Sequence, residues 1–214
     1  MSLATYLEKW TSFYFSNFGR DWIDQALGGW GEGRDLFFTD LVSKYPEFAA
    51  ATAVTSEICD VLETDTTMEA SLCHRLARSV FLRDPQHPSL RYFAHLMKVK
   101  TGMEIYYSTE IGPRLIIMHG VGVVIGPRNR IGSDFIVYHN VTLGQRHVSS
   151  SHQTMVIGDH CTILAGAKIL GSVKLGDHVT VGANAVLLTD AVSNSTYVGV
   201  PAVKVADQPH SDAE

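Results

Sequence analysis

The chain has 214 residues, 45% apolar and 18% charged, with a formal net charge of −5. That length and composition fit one or two globular domains with a sizeable core. The negative charge is dispersed and no basic stripe interrupts it, which argues against nucleic acid as a partner. Cys59, Cys73 and Cys161 lie far apart without a CxxC pair, a usage that predicts reduced thiols in a cytoplasmic protein. The first fifteen residues carry polar and charged side chains through their apolar run. They have neither a signal-peptide core nor a membrane span, so the expectation is a cytoplasmic protein with no membrane partner.

Residues 1–100 read as a helical domain. Tyr6, Trp10, Phe13 and Tyr14 recur at helical spacing and make an aromatic stripe, suited to core or oligomer contact. Gly28, Gly29 and Gly31 predict a turn around Trp30. Helices are predicted over 35–48, 55–62 and 67–82. Residues 83–88, with Pro85 and Pro88, are a stop signal, and Ser89 is placed to cap a last helix running to about Val99.

From Thr101 the rhythm changes. Ile157, Ile163, Ile169, Leu175, Val181 and Leu187 return at every sixth position. Earlier blocks are Ile105, Ile111, Ile117 and then Ile125, Ile131, Val137, Leu143. Period six matches neither a helix nor a half-buried flat strand. It matches a triangular solenoid with one aliphatic side chain per edge pointing inward. Gly follows many of these residues, as in Ile131-Gly132 and Ile157-Gly158, where a side chain would crowd the corner. The predicted fold is therefore α+β: an N-terminal helical domain at 1–100, a left-handed parallel β-helix of hexapeptide repeats at 101–205, and a flexible tail at 206–214. Two irregularities interrupt the coil, eight residues between Ile117 and Ile125 and fourteen between Leu143 and Ile157. The polar stretch 145–155 must leave the coil as a loop, and such loops tend to carry function.

His119 lies in the first irregularity, fifteen residues after Glu104. With turns of about eighteen residues, Glu104 sits almost one turn below it. Two readings stay open: a general base with a carboxylate behind it, or a corner histidine bonded to backbone above a solvated Glu104. Arg146 and His147 open the loop, where the guanidinium either grips a substrate carboxylate or is solvated. His139 reads as an outward residue of a coil edge, and His152, His160 and His178 as solvated. A rival reading is a carbonic anhydrase-type metal site using His119, His147 and His152. Metal ligands need a rigid support, and His147 and His152 fall in a serine-rich loop, so no metal is expected.

At these residues the chain resembles bacterial serine acetyltransferases. The resemblance is carried by 101–105, Ile111-Gly112, 119–126, Val141-Thr142-Leu143-Gly144, 165–171 and 198–202, and by a His-Arg-Leu-Ala helix at 74–77. It implies transfer of acetyl from acetyl-CoA, as co-substrate, to a hydroxyl of a small polar acceptor. It implies His119 as the base, Glu104 as its acidic partner, and Arg146 and His147 as acceptor contacts. Gly144, Ala165 and Ala183 match CoA-lining positions. Lys204 is placed to reach a CoA phosphate, one position after the family's basic residue, which here is Val203. The resemblance also implies a homotrimer or a dimer of trimers, with the groove between neighbouring coils.

The departures concern the acceptor. Met118 stands where the family has an aspartate, and Tyr45-Pro46 is the nearest counterpart of a second aspartate. Tyr106-Tyr107 replaces a His-Pro step, and the loop before Arg146 is shortened. A buried ammonium without a carboxylate is costly. The acceptor is therefore expected to be L-serine held weakly or a related hydroxy acid. The tail lacks the terminal isoleucine that docks into cysteine synthase, so that complex is not expected. Alternatives are a sugar or natural-product O- or N-acetyltransferase, a metal-dependent lyase and a non-catalytic scaffold.

Overall fold

The computed structural model of the chain describes residues 2–14, 27–146 and 154–207. Its first part is a layer of helices: α1 (Leu3–Tyr14), α2 (Gly31–Lys44), α3 (Ser56–Thr64), α4 (Thr66–Arg83) and α5 (Ser89–Thr101), with a 3-10 turn at Pro46–Phe48. Of the aromatic stripe, Tyr6 is buried, and the side chains of Trp10, Phe13 and Tyr14 lie outside the described residues. Helix α2 stops before Pro46 instead of running on to residue 48. Tyr45, the residue before the proline, is pushed out of the helical region (φ −131°, ψ 77°). Thr55 caps α3 by accepting from Ile58 N, and Asp65 caps α4 by accepting from Thr67 N. Ser89 is the first residue of α5 and not its cap. Its hydroxyl pairs instead with His87 Nδ1 at 2.7 Å. Gly102, left-handed at φ +68°, ends α5 and turns the chain into the coil.

Helix α4 is the centre of this layer, buried along nearly its whole length. Glu69 accepts from Tyr6 Oη at 2.6 Å and from the Lys100 amine, which ties α1, α4 and α5 together. Burial holds the His74 imidazole well below its ordinary range, so it sits neutral in the core. Arg75 reaches across to Asp40 of α2 through Nε (2.9 Å) and Nη2 (3.0 Å) and also donates to the carbonyls of Ile111 and Gly112. Asp40 accepts further bonds from Ser71 Oγ (2.6 Å) and Leu115 N (2.8 Å). Burial pushes the Asp40 carboxyl up, while Arg75, Ser71 and Leu115 pull it back.

The rest is a parallel solenoid with three faces. The first sheet stacks β1 (Glu104–Ile105), β4 (Val124–Ile125), β7 (Thr142–Gly144), β10 (Lys168–Leu170) and β13 (Val186–Leu187). The second stacks β2 (Glu110–Ile111), β5 (Arg130–Ile131), β8 (Val156–Ile157) and β11 (Lys174–Leu175). The third stacks β3 (Ile116–Met118), β6 (Ile136–Tyr138), β9 (Thr162–Ile163), β12 (Val179–Val181) and β14 (Ser195–Val198), and is closed by the antiparallel β15 (Val203–Asp207). In register, Ile105 pairs with Ile125, Ile125 with Leu143, Leu143 with Ile169 and Ile169 with Leu187, so the turns hold 20, 18, 26 and 18 residues. The long turn contains the segment 147–153, which lies outside the described residues, as do residues 208–214 of the tail.

Every residue of the six-fold series is buried, each contributing about 1.5–3 kcal/mol. Each edge, however, points two side chains inward and not one. Leu115 accompanies Ile117, Phe135 accompanies Val137, and Cys161 accompanies Ile163. The strand alternation of two demands this second row. Where the row is polar, its groups are satisfied: Thr109 Oγ1 and Asn129 Nδ2 both donate to the Gly126 carbonyl, and Met155 N donates to Asn129 Oδ1. All three cysteines are free and buried, and burial pushes the Cys161 thiol up to about 11. Among the described residues no helix is long and apolar enough to cross a membrane.

At Gly112, Gly132, Gly158 and Gly176 close approach requires glycine. A Cβ on Gly158 would lie 2.2 Å from Asp177 Oδ1 and 2.8 Å from Asp177 N. The same aspartate accepts from Asp159 N at 2.8 Å, as Asp159 does from Ser133 N, so a ladder of side-chain acceptors runs up this corner. Gly158→Ala is therefore expected to lower stability by about 1–3 kcal/mol through overpacking. Gly31→Ala, with no atom within 4 Å of the new methyl, is the matched control and leaves stability unchanged or slightly higher. Urea unfolding of the two variants checks this.

Candidate active site

The first sheet of the coil is bounded by two corners. At the corner leading in from the third sheet, two extra residues swell the bend after β3 into the loop His119–Gly122. Val121 N donates to the His119 carbonyl and Val123 N to the Gly120 carbonyl. Gly122 N reaches down to the Gly102 carbonyl at 2.9 Å. Gly120 is buried at φ +47°, and a Cβ there would lie 2.5 Å from Met103 Cε and 3.2 Å from Thr67 Cγ2. A side chain there would have to displace Met103. The loop thus leans on the N-terminus of α4 and leaves His119 exposed. His119 itself is left-handed at φ +63°, a property it shares with corner residues such as Asp134, His160 and Asn184. The dihedral therefore belongs to the coil corner and not to chemistry.

Among the described residues the His119 imidazole makes no hydrogen bond or ion pair. Its ring meets that of His139, with centroids 5.9 Å apart and planes at 74°. Met118 pairs with Tyr138, so His139 stands directly one turn above His119. Its Nδ1 is buried without a hydrogen-bond partner. Next to it the Lys168 amine donates to the Asn140 carbonyl and holds the corner. Glu104 is elsewhere: it pairs in register with Val124, on the outer face of the first sheet, and its carboxylate accepts from Lys98 Nζ at 2.8 Å. The turn holding His119 has 20 residues, two more than the regular length, which leaves His119 five residues short of Val124, the position above Glu104. An exposed imidazole free of protein partners, braced edge-to-face by a second ring, is suited to taking a proton from a hydroxyl.

The same corner continues upward through small residues. Val137 pairs with Ile163 and Ile163 with Val181, which sets Ala165 and Ala183 in the row of His139. Met118 is half-buried at the end of β3, just before His119. Gly144 and Arg146 lie at the opposite corner, where the first sheet leads to the second. Gly144 borders a cavity of about 290 Å³ with Tyr106, Pro127, Gln145 and Gly171. The Arg146 guanidinium packs over Gly171 and donates to the Leu188 carbonyl. Five or so extended residues separate the two corners, roughly 15 Å. Lys204 is exposed on β15 at the far end of the coil. His147 and His152 lie outside the described residues. Among the described residues no three His, Cys, Asp or Glu side chains are placed to hold a metal ion.

Spacing arguments passed over Lys168 and read His139 only as an outward residue of a coil edge. The signal for His139 was present, since the interval from His119 to His139 equals the length of that turn.

Residues 154–189 match the family described as bacterial transferase hexapeptide (six repeats). The chain is 41% identical over 135 residues to the serine acetyltransferase of Helicobacter pylori strain J99, covering 63% of this chain and 78% of that protein. The crystal structure of Neisseria gonorrhoeae serine acetyltransferase superimposes with a TM-score of 0.75 at 27% identity, over 88% of this chain and 71% of that one. The fold alone is shared with the Brucella abortus serine acetyltransferase solved with coenzyme A, at a TM-score of 0.78 and 22% identity, over 97% of this chain and 83% of that one.

Proposed function

The chain belongs to the serine acetyltransferase family, and we propose that it moves an acetyl group from acetyl-CoA to the hydroxyl of L-serine or a related small hydroxy acid. The observation that carries this reading is the exposed, unpartnered His119 imidazole on a corner buttressed by α4. His119 takes the hydroxyl proton as the oxygen attacks the thioester carbonyl. The tetrahedral intermediate then collapses, the C–S bond breaks, and His119 returns the proton to the leaving CoA thiolate. His139 positions the His119 ring from the turn above. Glu104 acts as the acidic partner once it exchanges its bond to Lys98.

The acceptor and CoA contacts split between the two corners of the first sheet. In this reading, His119, Met118, Ala165 and Ala183 come from one coil, while Arg146, His147 and Gly144 come from a neighbour. A homotrimer brings the corners together, and Arg146 grips the acceptor carboxylate. Lys204 attends the CoA phosphates at the end of the coil. Met118, apolar beside the base, favours acceptors that do not need a carboxylate partner for an ammonium. The protein is read as cytoplasmic, where its three free cysteines stay reduced.

Thiol release from acetyl-CoA tests this reading across L-serine, homoserine, other hydroxy acids and sugars. Turnover is expected with the small hydroxy or amino acids and not with sugars. His119→Ala should lower it about a hundredfold to ten-thousandfold with CoA binding intact. Undiminished turnover by that variant would sink the assignment of the base. A second experiment tests the two-chain site. His119→Ala and Arg146→Ala chains, mixed under conditions that exchange subunits, should recover up to about a quarter of wild-type sites, because some heterologous interfaces then pair two intact residues. A mixture no more active than its parents, despite exchange, would place both residues in one chain's site.

A further inference from the structure

The helical layer and the coil do not close on each other along the outer side of α4. Two adjoining cavities of about 570 Å³ each lie there. The inner one separates α2 and α4 from the coil edge at Glu110–Pro113. The outer one lies between the end of α4 and the coil residues Ser108, Arg128 and Arg130. Arg78, Leu82 and Glu110 line both, so the two form one cleft.

Its charge is out of keeping with the chain. Arg78, Arg128 and Arg130 face Glu32 and Glu110, an excess of one positive charge in a protein of net −5. Arg75 also borders the cleft, but Asp40 already neutralises it. Arg78 is the pivotal group. Its side chain is 17% exposed, and its only ion pair among the described residues is Glu110 at 3.5 Å, beyond a good hydrogen bond. Glu110 is 61% exposed, and Arg130, its register neighbour on the next strand, makes no ion pair among the described residues. Burial works against the charged form of Arg78, and a planar guanidinium that is largely desolvated is best satisfied by a two-oxygen anion.

We propose that this cleft is a binding site for a small oxyanion-bearing metabolite, a carboxylate or a phosphate. Arg78 takes two of its oxygens, Arg128 and Arg130 approach from the coil, and Leu82 and Phe81 give the apolar wall. The walls come from two different layers and enclose a small volume, which suits a metabolite and not a polymer or a membrane. The site is on the second-sheet side of the coil, away from the His119 corner. A ligand there bridges α4 to the first two turns and so stiffens the joint from which His119 is presented.

Calorimetric titration of the whole protein with inorganic phosphate, pyrophosphate and citrate, at low ionic strength, tests this. Saturable binding of at least one anion, at one per chain, is expected. Preference for citrate would identify the carboxylate source, and preference for pyrophosphate the phosphate source. Arg78→Gln should weaken binding about tenfold or more. The double variant Arg128→Gln/Arg130→Gln, on exposed coil positions, should do the same and does not depend on the helical layer refolding. Arg34→Gln, an exposed arginine paired with Asp35, should change nothing. A parallel titration with saturating CoA should give the same affinity. No saturable binding, binding indifferent to both cleft variants, or competition by CoA would each overturn the proposal.

Discussion

A buried aspartate–arginine pair, Asp40 with Arg75, carries the junction between the helices and the coil. The pair is 0% and 1% exposed and is saturated with further bonds. Such a pair is not a strong net source of stability, since desolvation offsets most of its Coulomb energy. What it supplies is geometry. The guanidinium plane is locked by Asp40 and then aims its remaining donors at the carbonyls of Ile111 and Gly112, while Leu115 N returns a bond to Asp40. Three points of the first turn are thereby held to α2 and α4. From the same α4, Thr67 backs Gly120. The loop presenting His119 is thus anchored by one helix at both ends of its turn.

The coil turns this local anchoring into a long, regular surface. Each turn repeats the same corner one strand spacing higher, about 4.8 Å. A row of equivalent positions therefore becomes a lane, and His119, His139, Ala165 and Ala183 occupy one such lane. Two large rings stand at its lower end, and small side chains stand above them. The departures from regularity have separate effects. Two added residues push His119 out of the coil, and the turn from Leu143 to Ile169 holds eight residues more than the regular length.

The sequence shows the coil plainly because the inward aliphatic residues have no other reason to recur every sixth position. The second inward row is hidden, because Thr109, Asn129, Cys161, Ala167 and Ser195 share no chemical type. Helix positions were legible from capping and apolar spacing, except that α2 starts at Gly31 inside the predicted turn and stops early at Tyr45, and that Ser89 lies within α5 and does not cap it. His119 was legible through the irregularity around it. The placing of Glu104 beneath it rested on an eighteen-residue turn, and the actual turn of 20 moves Glu104 to the register of Val124 and the reach of Lys98. The Asp40–Arg75 pair was not legible at all. The two residues are 35 positions apart, and charged side chains on separate helices ordinarily read as solvated.

The direct measurement of this account is hydrogen exchange, amide by amide, in the wild type and in Asp40→Asn. Losing the carboxylate leaves a buried guanidinium unbalanced, a loss of about 3–5 kcal/mol. If the pair anchors the catalytic corner, exchange should rise about a hundredfold or more at Leu115 and Gly122, while Lys168 and Val186 in the upper turns keep their protection. Unchanged exchange at Gly122, or an equal rise in every turn, would contradict the claim that this buried pair positions His119.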